Sequence, residues 1–341
     1  MILSSQEIQN HWQYFINRSQ NFWLGAVDPI RLDTFRVALG FSILIYFMDW
    51  WQEAEEWLTP VGYHMSQSIL PNFPVLPVLP VWGLPWFGIV LFGSLILWIL
   101  GWKTRWISWA VLLCVTYVTW ADVLSAYTLN KFFIISLSCL SLVPQGTYWT
   151  IEQKNEPPCS QSVWPIRILQ TTILMVYFFC GWQKIFMGDW LKFSDVLWTQ
   201  AGGFYRTDLA AWMLRTFPKP VWTWIQDATL AFELSAPLLF AIRKLRPVGL
   251  LWGLIFHTLI ALLMYKLIYF SLSVLSFYIL FLEEEMLHKI RIKSYFLLKE
   301  FAARVVPIIL VFSLICMGAS AKILWADDHP QNQPSSVKVD R

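Results

Sequence analysis

The sequence predicts an all-α, polytopic transmembrane helical bundle with its N-terminus inside, and three observations carry that reading. Hydrophobic residues make up 57% of the 341 and charged ones only 14%, where an ordinary soluble domain carries roughly 25% charge. Apolar windows of the length that spans a bilayer, about 20 residues, recur along the chain. Lysine and arginine, finally, collect in alternate connections between those windows, which sets an orientation, with the 186–220 connection and its Lys192, Arg206, Arg215 and Lys219 as a partial exception. A length rule for soluble domains does not apply to such a chain, and one bundle is expected.

Taken in order, residues 1–30 form an N-terminal interfacial amphipathic helix. No apolar core of signal-peptide length is present. Ser4 or Ser5 is placed to cap a helix whose Ile8, Trp12, Phe15, Ile16 and Trp23 share a face, suited to the headgroup plane. A cytosolic partner for that face is the alternative. Spans follow near 33–51, 86–102, 105–124, 131–144, 165–187, 221–241, 247–265, 268–283 and 305–322, about eight or nine in all, because the fourth and eighth are short. Tryptophans such as Trp50, Trp51, Trp102, Trp106, Trp149, Trp164 and Trp190 stand at their ends, where amphipathic rings settle. The run PNFPVLPVLPVWGLP, 71–85, cannot be one regular helix, since each proline removes a donor. Residues 31–324 thus read as one membrane domain, and 325–341 as a disordered polar tail.

The expected inner connections hold Arg18, Arg31, Lys103, Arg105, Lys154, Arg167, Arg243, Lys244, Arg246 and a basic run from Lys289 to Arg304. The outer segment 52–85 has no lysine or arginine and carries Glu53, Glu55 and Glu56. The net charge of +3 is too small to argue for a nucleic-acid partner. The cysteines Cys114, Cys139, Cys159, Cys180 and Cys316 show no metal or redox spacing and read as small buried hydrophobes, so no metal is expected.

An ionisable group at membrane depth costs a few kcal/mol and needs a partner, a cavity or an escape to the interface. Glu233 and His257 fall near the middle of the sixth and seventh spans. Lys184 falls three residues from the end of the fifth, in FFCGWQKIFMGDW. Each has a structural reading. Glu233 is protonated or paired so as to lock the bundle, His257 is a neutral imidazole bonded to a carbonyl or to Glu233, and Lys184 snorkels to water. The functional reading makes them a constellation. Burial among Phe178, Phe179, Trp182 and Phe186 lowers the proton affinity of the lysine, which then acts as a base, with Glu233 and His257 relaying the proton. Arg36, Asp49 and Asp122 are expected at the interface.

VYFFCGWQKIFMGDWL resembles the fifth-helix signature of the HTTM (horizontally transferred transmembrane) domain, the membrane part of vitamin K-dependent gamma-carboxylase. Tyr177, Gly181, Lys184, Asp189 and Trp190 match it. RLDTFRVALGFSILIYFMDWW, SLVPQGTYWTIEQ and LAFELSAPLLFAIRKLRPVGLLWGLIFHTLIALL resemble three further blocks in the same order, over roughly 31–285.

The resemblance implies a lysine base, Lys184, that deprotonates a reduced, vitamin K-like quinone. Oxygen then turns the quinol into a strong base, substrate glutamate loses a gamma proton and gains CO2, and the vitamin leaves as its epoxide. His257 and Glu233 join Lys184 as catalytic or pocket residues on this reading, Tyr177, Trp182 and Trp190 bind substrate, and Asp189 and Gly181 are structural. Departures accompany the matches. Leu129–Asn130 lacks the histidine that the animal enzymes have there, and Ile260 and Leu262 stand where they carry amides. Only the tail follows the last expected span, so the extracytoplasmic peptide-binding domain is expected to be missing. A quinol-dependent carboxylase- or epoxidase-like enzyme of a bacterial inner (cytoplasmic) membrane is one expectation. A non-enzymatic module that binds membrane lipid or a protein partner is the alternative.

Overall fold

The computed structural model describes residues 5–64, 76–122, 128–152 and 160–291. The expected ninth span, 305–322, and the tail lie outside them. Among the described residues the regular elements are helices, apart from one two-residue ribbon and an isolated bridge between Arg206 and Met264. Helix α1 (Ser5–Leu24) leads through β1 (Ala26–Val27) into α2 (Ile30–Trp50) and the short α3 (Ala54–Leu58). Helices α4 (Leu84–Leu100), α5 (Thr104–Ala121) and α6 (Thr128–Ser141) follow as an antiparallel series. After β2 (Gln161–Ser162) come α7 (Trp164–Phe186), the short α8 (Val196–Ala201) and α9 (Asp208–Thr216), then α10 (Lys219–Ala241), α11 (Arg246–Leu263) and α12 (Leu267–Tyr278).

Helix α2 packs on α4 and α12, α7 on α10, and α10 on α11, so α2, α7 and α12 enclose the core. Phe35, Phe47, Trp98, Phe133, Phe232 and Phe277 fill it and are fully enclosed. The ribbon pairs Ala26 with Ser162 and Val27 with Gln161, and the Val163 N–H donates to the Gly25 carbonyl at 2.9 Å. The first turns of α2 and α7 are thereby held side by side. Helix α1 leaves Trp12, Phe15 and Ile16 exposed and touches α7. The side chain of Ile8 lies outside the described set.

Fewer helices have spanning character than the about eight or nine expected from apolar windows of spanning length. Among the described residues, Val81–Leu100, Trp164–Phe186 and Arg246–Leu263 are long and apolar enough to cross a membrane. A fourth crossing is counted if Leu267–Phe281 and Glu284–Arg291, bent by 114°, make one broken span. Helices α2, α5 and α10 have the length, at 21, 18 and 23 residues, but composition sets them apart. Helix α2 carries Arg31, Asp33, Arg36 and Asp49, and α10 carries Lys219, Asp227 and Glu233.

Some of these charges are satisfied inside the protein. Asp33 and Arg36 are both fully buried. Asp33 accepts the N–H groups of Gly146, Thr147 and Tyr148 at 2.7, 2.6 and 2.8 Å. Arg36 donates to the carbonyls of Trp98, Ile99 and Trp149. One turn of α2 therefore fixes residues 146–149 of the connection before α7, where Gly146 takes φ +75°, a conformation open to glycine at little cost.

Arg36 and Asp122, expected at the interface, are both enclosed by protein. Arg36 is enclosed because buried carbonyls at the end of α4 need a donor, and a guanidinium supplies several. Asp122 is buried and lies 2.9 Å from His64 Nδ1, whose other nitrogen is 2.6 Å from the Thr59 carbonyl. Asp49 is partly exposed and pairs with Lys266 at 3.7 Å. Cys180, expected to be buried, is exposed, whereas Cys114 and Cys139 are enclosed; Cys159 and Cys316 lie outside the described residues.

Candidate functional site

The site forms where α7 meets α10 and α11. Tyr177, Gly181 and Lys184 stand at i, i+4 and i+7 on α7 and so share the face turned toward those helices. Opposite them on α10 is Glu233. Pro237, four residues later, has no N–H to give the Glu233 carbonyl and still sits inside the helix. Gly181 allows the close approach: a β-carbon there would stand 3.0 Å from the Glu233 Cβ.

Lys184 Nζ donates to Glu233 Oε1 at 2.5 Å. The lysine side chain keeps 26% of its surface exposed, against 5% for the glutamate. Glu233 Oε2 is buried without a partner. The ammonium also lies 4.7 Å from the centre of the Trp190 ring, a cation–π distance. Trp190 is held there by Gln226, buried on α10 two turns before Glu233. Gln226 Nε2 donates to the carbonyls of Trp190 and Phe193 at 2.7 and 2.9 Å, and its Oε1 accepts the Leu197 N–H at 3.0 Å. Gln226 was not singled out in the sequence, although its i, i+7 relation to Glu233 on an apolar helix was available there.

A second network lies deeper. Tyr177 Oη is 2.6 Å from His257 Nε2 and 2.8 Å from Tyr278 Oη. Gly253 makes room for this meeting, since a β-carbon there would fall 1.8 Å from Tyr278 Oη. His257 is fully buried and its Nδ1 has no partner. The tautomer with the proton on Nε2 leaves only a lone pair unsatisfied, which is cheaper than an orphaned N–H. Tyr278 is a member that sequence reasoning missed, because Tyr269, Ser271, Ser273 and Ser276 place other hydroxyls on the same helix and nothing in its spacing sets it apart.

The structure therefore joins Lys184 to Glu233 and Tyr177 to His257, and it links the two through Tyr177, whose ring packs 5.2 Å from Phe232, the neighbour of Glu233. The aromatic cage expected around Lys184 is corrected. Phe179, Trp182 and Phe186 are exposed, and Trp182 stacks on Phe178 and Phe186 along the outside of α7. Positions 182 and 186 are each two residues from 184, about 200° around the helix, so they face away from the amine. Asp189 is half-exposed and pairs with Lys192 at 3.2 Å.

A cleft of about 510 Å³ runs along the outside of α7, bounded by Trp23, Ile168, Thr172, Met175, Phe179 and Gln183 among others. Lys184, Glu233 and His257 do not line it. Cys180, near its far end, is within electrostatic reach of the Lys184–Glu233 pair. Among the described residues, no group of three or more His, Cys, Asp or Glu side chains is arranged to hold a metal ion.

No curated protein and no solved structure is a match for the chain. A family model described as the HTTM domain matches residues 25–286, which covers α2 to α12 and both networks. With its apolar spanning helices, the chain is a membrane protein and belongs to the HTTM domain family.

Proposed function

We propose that the protein is a membrane-embedded enzyme of the gamma-carboxylase-like type, acting on a lipid-soluble quinol with Lys184 as base. One observation carries the reading: the Lys184 amine, partly open beneath the Trp190 ring, meets a carboxylate whose second oxygen is buried without a partner. A buried carboxylate oxygen or imidazole nitrogen without a partner is an acceptor able to take a proton. Here Glu233 Oε2 and His257 Nδ1 are both left over. Passing the ammonium proton to Glu233 leaves a neutral amine, the form a base requires. Tyr177, His257 and Tyr278 then position the pair from below. The reading includes more crossings than the three or four of clear spanning composition, with α2, α5 and α10 also traversing the bilayer, and a multi-pass location in a bacterial inner membrane.

A second reading has an observation of its own. The three ionisable groups share no described cleft, which favours a non-enzymatic membrane module in which Lys184–Glu233 and Tyr177–His257–Tyr278 are structural ties. Oxygen uptake with a reduced naphthoquinol by the wild type, lost in the Lys184 variants argued at the end of the Discussion, supports the first; the second expects none.

A further inference from the structure

Three helices begin close together at one end of the bundle, and each carries an arginine in its first turn. Arg31 is the second residue of α2, Arg167 lies in the first turn of α7, and Arg246 is the first residue of α11. The ribbon between Ala26–Val27 and Gln161–Ser162 sets the first two side by side. The segment 279–284 draws in all three: Arg246 donates to the Phe281 carbonyl at 3.4 Å, Arg31 pairs with Glu284 at 3.5 Å, and Gln170 joins Arg167 (3.1 Å) to the Leu280 carbonyl (2.7 Å). The guanidiniums are near enough to repel one another.

This placement is electrostatically unfavourable on its own. Helix N-termini carry partial positive charge and favour acids in the first turn, whereas α7 and α11 carry only bases there and α2 sets Arg31 beside Asp33. Arg243, on Glu283 at 2.7 Å, brings the group to four arginines against two glutamates. The Nε–H donors of Arg31 and Arg167 are buried and have no acceptor. An anion with several acceptor oxygens answers the surplus of positive charge.

The apolar cleft starts beside this cluster. Arg167 lies over the Phe22 ring at 4.5 Å, Phe22 packs edge-on against Trp23, and Trp23 lines the cleft with Ile168, the residue after Arg167. From there the cleft follows α7 to Gln183, a rise of about 22 Å. One leaflet of hydrocarbon is about 15 Å deep, so an acyl chain fits within its length.

We infer that this is a seat for an anionic phospholipid, its phosphate among Arg31, Arg167 and Arg246 and one acyl chain along α7 from Ile168 through Met175. The inference does not rest on the quinol reading, because Lys184, Glu233 and His257 take no part in it. A net negative headgroup is preferred over a zwitterionic one by the surplus of arginine.

The test uses the full chain in detergent, titrated by native mass spectrometry with phosphatidylglycerol and phosphatidylcholine of identical acyl chains. Phosphatidylglycerol is expected to bind about tenfold more tightly. Arg167→Gln combined with Arg246→Gln should remove that preference. Met175→Trp, at an exposed cleft position, should weaken both lipids while melting like the wild type. Equal binding of the two lipids to the wild type, or an undiminished preference in the double variant, overturns the inference. So does displacement of phosphatidylglycerol by millimolar inorganic phosphate, the mark of a free-anion site with no use for the chain.

Discussion

Gly181 faces Glu233 so closely that a β-carbon at 181 would stand 3.0 Å from the Glu233 Cβ and 3.1 Å from Leu234 Cγ. The separation of α7 from α10 at this level, and with it the Lys184–Glu233 contact, depends on that missing carbon. Alanine at 181 gains up to about 1 kcal/mol of helix propensity, which offsets much of the strain from a few tenths of an ångström of displacement. Leucine does not fit, and overpacking of this kind costs about 1–3 kcal/mol. Thermal melting in detergent should rank the wild type close to Gly181→Ala and well above Gly181→Leu. Equal melting of all three would show that the helices part freely here.

Gly253 gives the sharper case. Its added carbon would lie 1.8 Å from Tyr278 Oη and 2.7 Å from Cζ of the same ring, so the whole ring must move. Gly253→Ala should therefore destabilise more than Gly181→Ala and should break the bridge from Tyr278 to Tyr177 and His257. A melt in which Gly253→Ala matches Gly181→Ala would contradict this ranking.

For Glu233 the comparison is between an amide and a hydrocarbon. Glu233→Gln keeps an oxygen that accepts from Lys184, whereas Glu233→Leu leaves a partly buried amine unpaired at a cost of about 1–3 kcal/mol. The glutamine variant is expected to melt higher than the leucine variant. The reverse order would mean that the buried carboxylate destabilises the bundle more than its pairing returns.

Helical spacing made part of this site readable in the sequence. Tyr177, Gly181 and Lys184 fall on one face by their numbers alone, and Glu233 and His257 stand out as ionisable groups in apolar spans. That Lys184 would choose Glu233 and His257 would choose Tyr177 was not readable, because spacing along one helix says nothing of register against another. Asp33 and Arg36 eluded the reading for a related reason: their partners are backbone N–H and carbonyl groups of distant connections, which carry no sequence signal. Trp182 misled because aromatic residues close in sequence were taken as close in space. Lipid-facing rings and core rings have the same composition in a membrane helix, and only the 200° offset from Lys184 distinguishes them.

Tyr148, in the connection pinned by Asp33, supplies a pH test outside the spans. Burial first, and then its hydrogen bond to Asp28 (3.0 Å), push the phenol up from 10.0 to about 12. The folded state thus holds this proton more tightly than the unfolded chain does. The stability linked to it is complete below pH 10 and is lost as pH rises through about 12. Tyr148→Phe should melt slightly lower at neutral pH, by about 1 kcal/mol for the lost bond, and should fall less steeply than the wild type between pH 10 and 12. Parallel curves would show that the phenol does not titrate differently on folding.

Lys184 bears the decisive test of the proposed chemistry. If the amine only snorkels or ties α7 to α10, Lys184→Arg keeps a permanent charge for Glu233 and for the Trp190 ring, and turnover is unaffected. If it is a base, arginine is the worst replacement, since a group with a pKa above 12 cannot give up its proton at working pH. Activity should then fall by about 10²–10⁴-fold while the fold persists. Lys184→Met should be equally inactive, and less stable than the arginine variant, because Glu233 loses its donor. Oxygen uptake with a reduced naphthoquinol, in membranes containing each variant, reads the activity, and thermal melting beside it separates loss of chemistry from loss of fold. Wild-type turnover that survives in both variants would end the base reading and leave Lys184 as a tie between α7 and α10 in an enzyme with a different base.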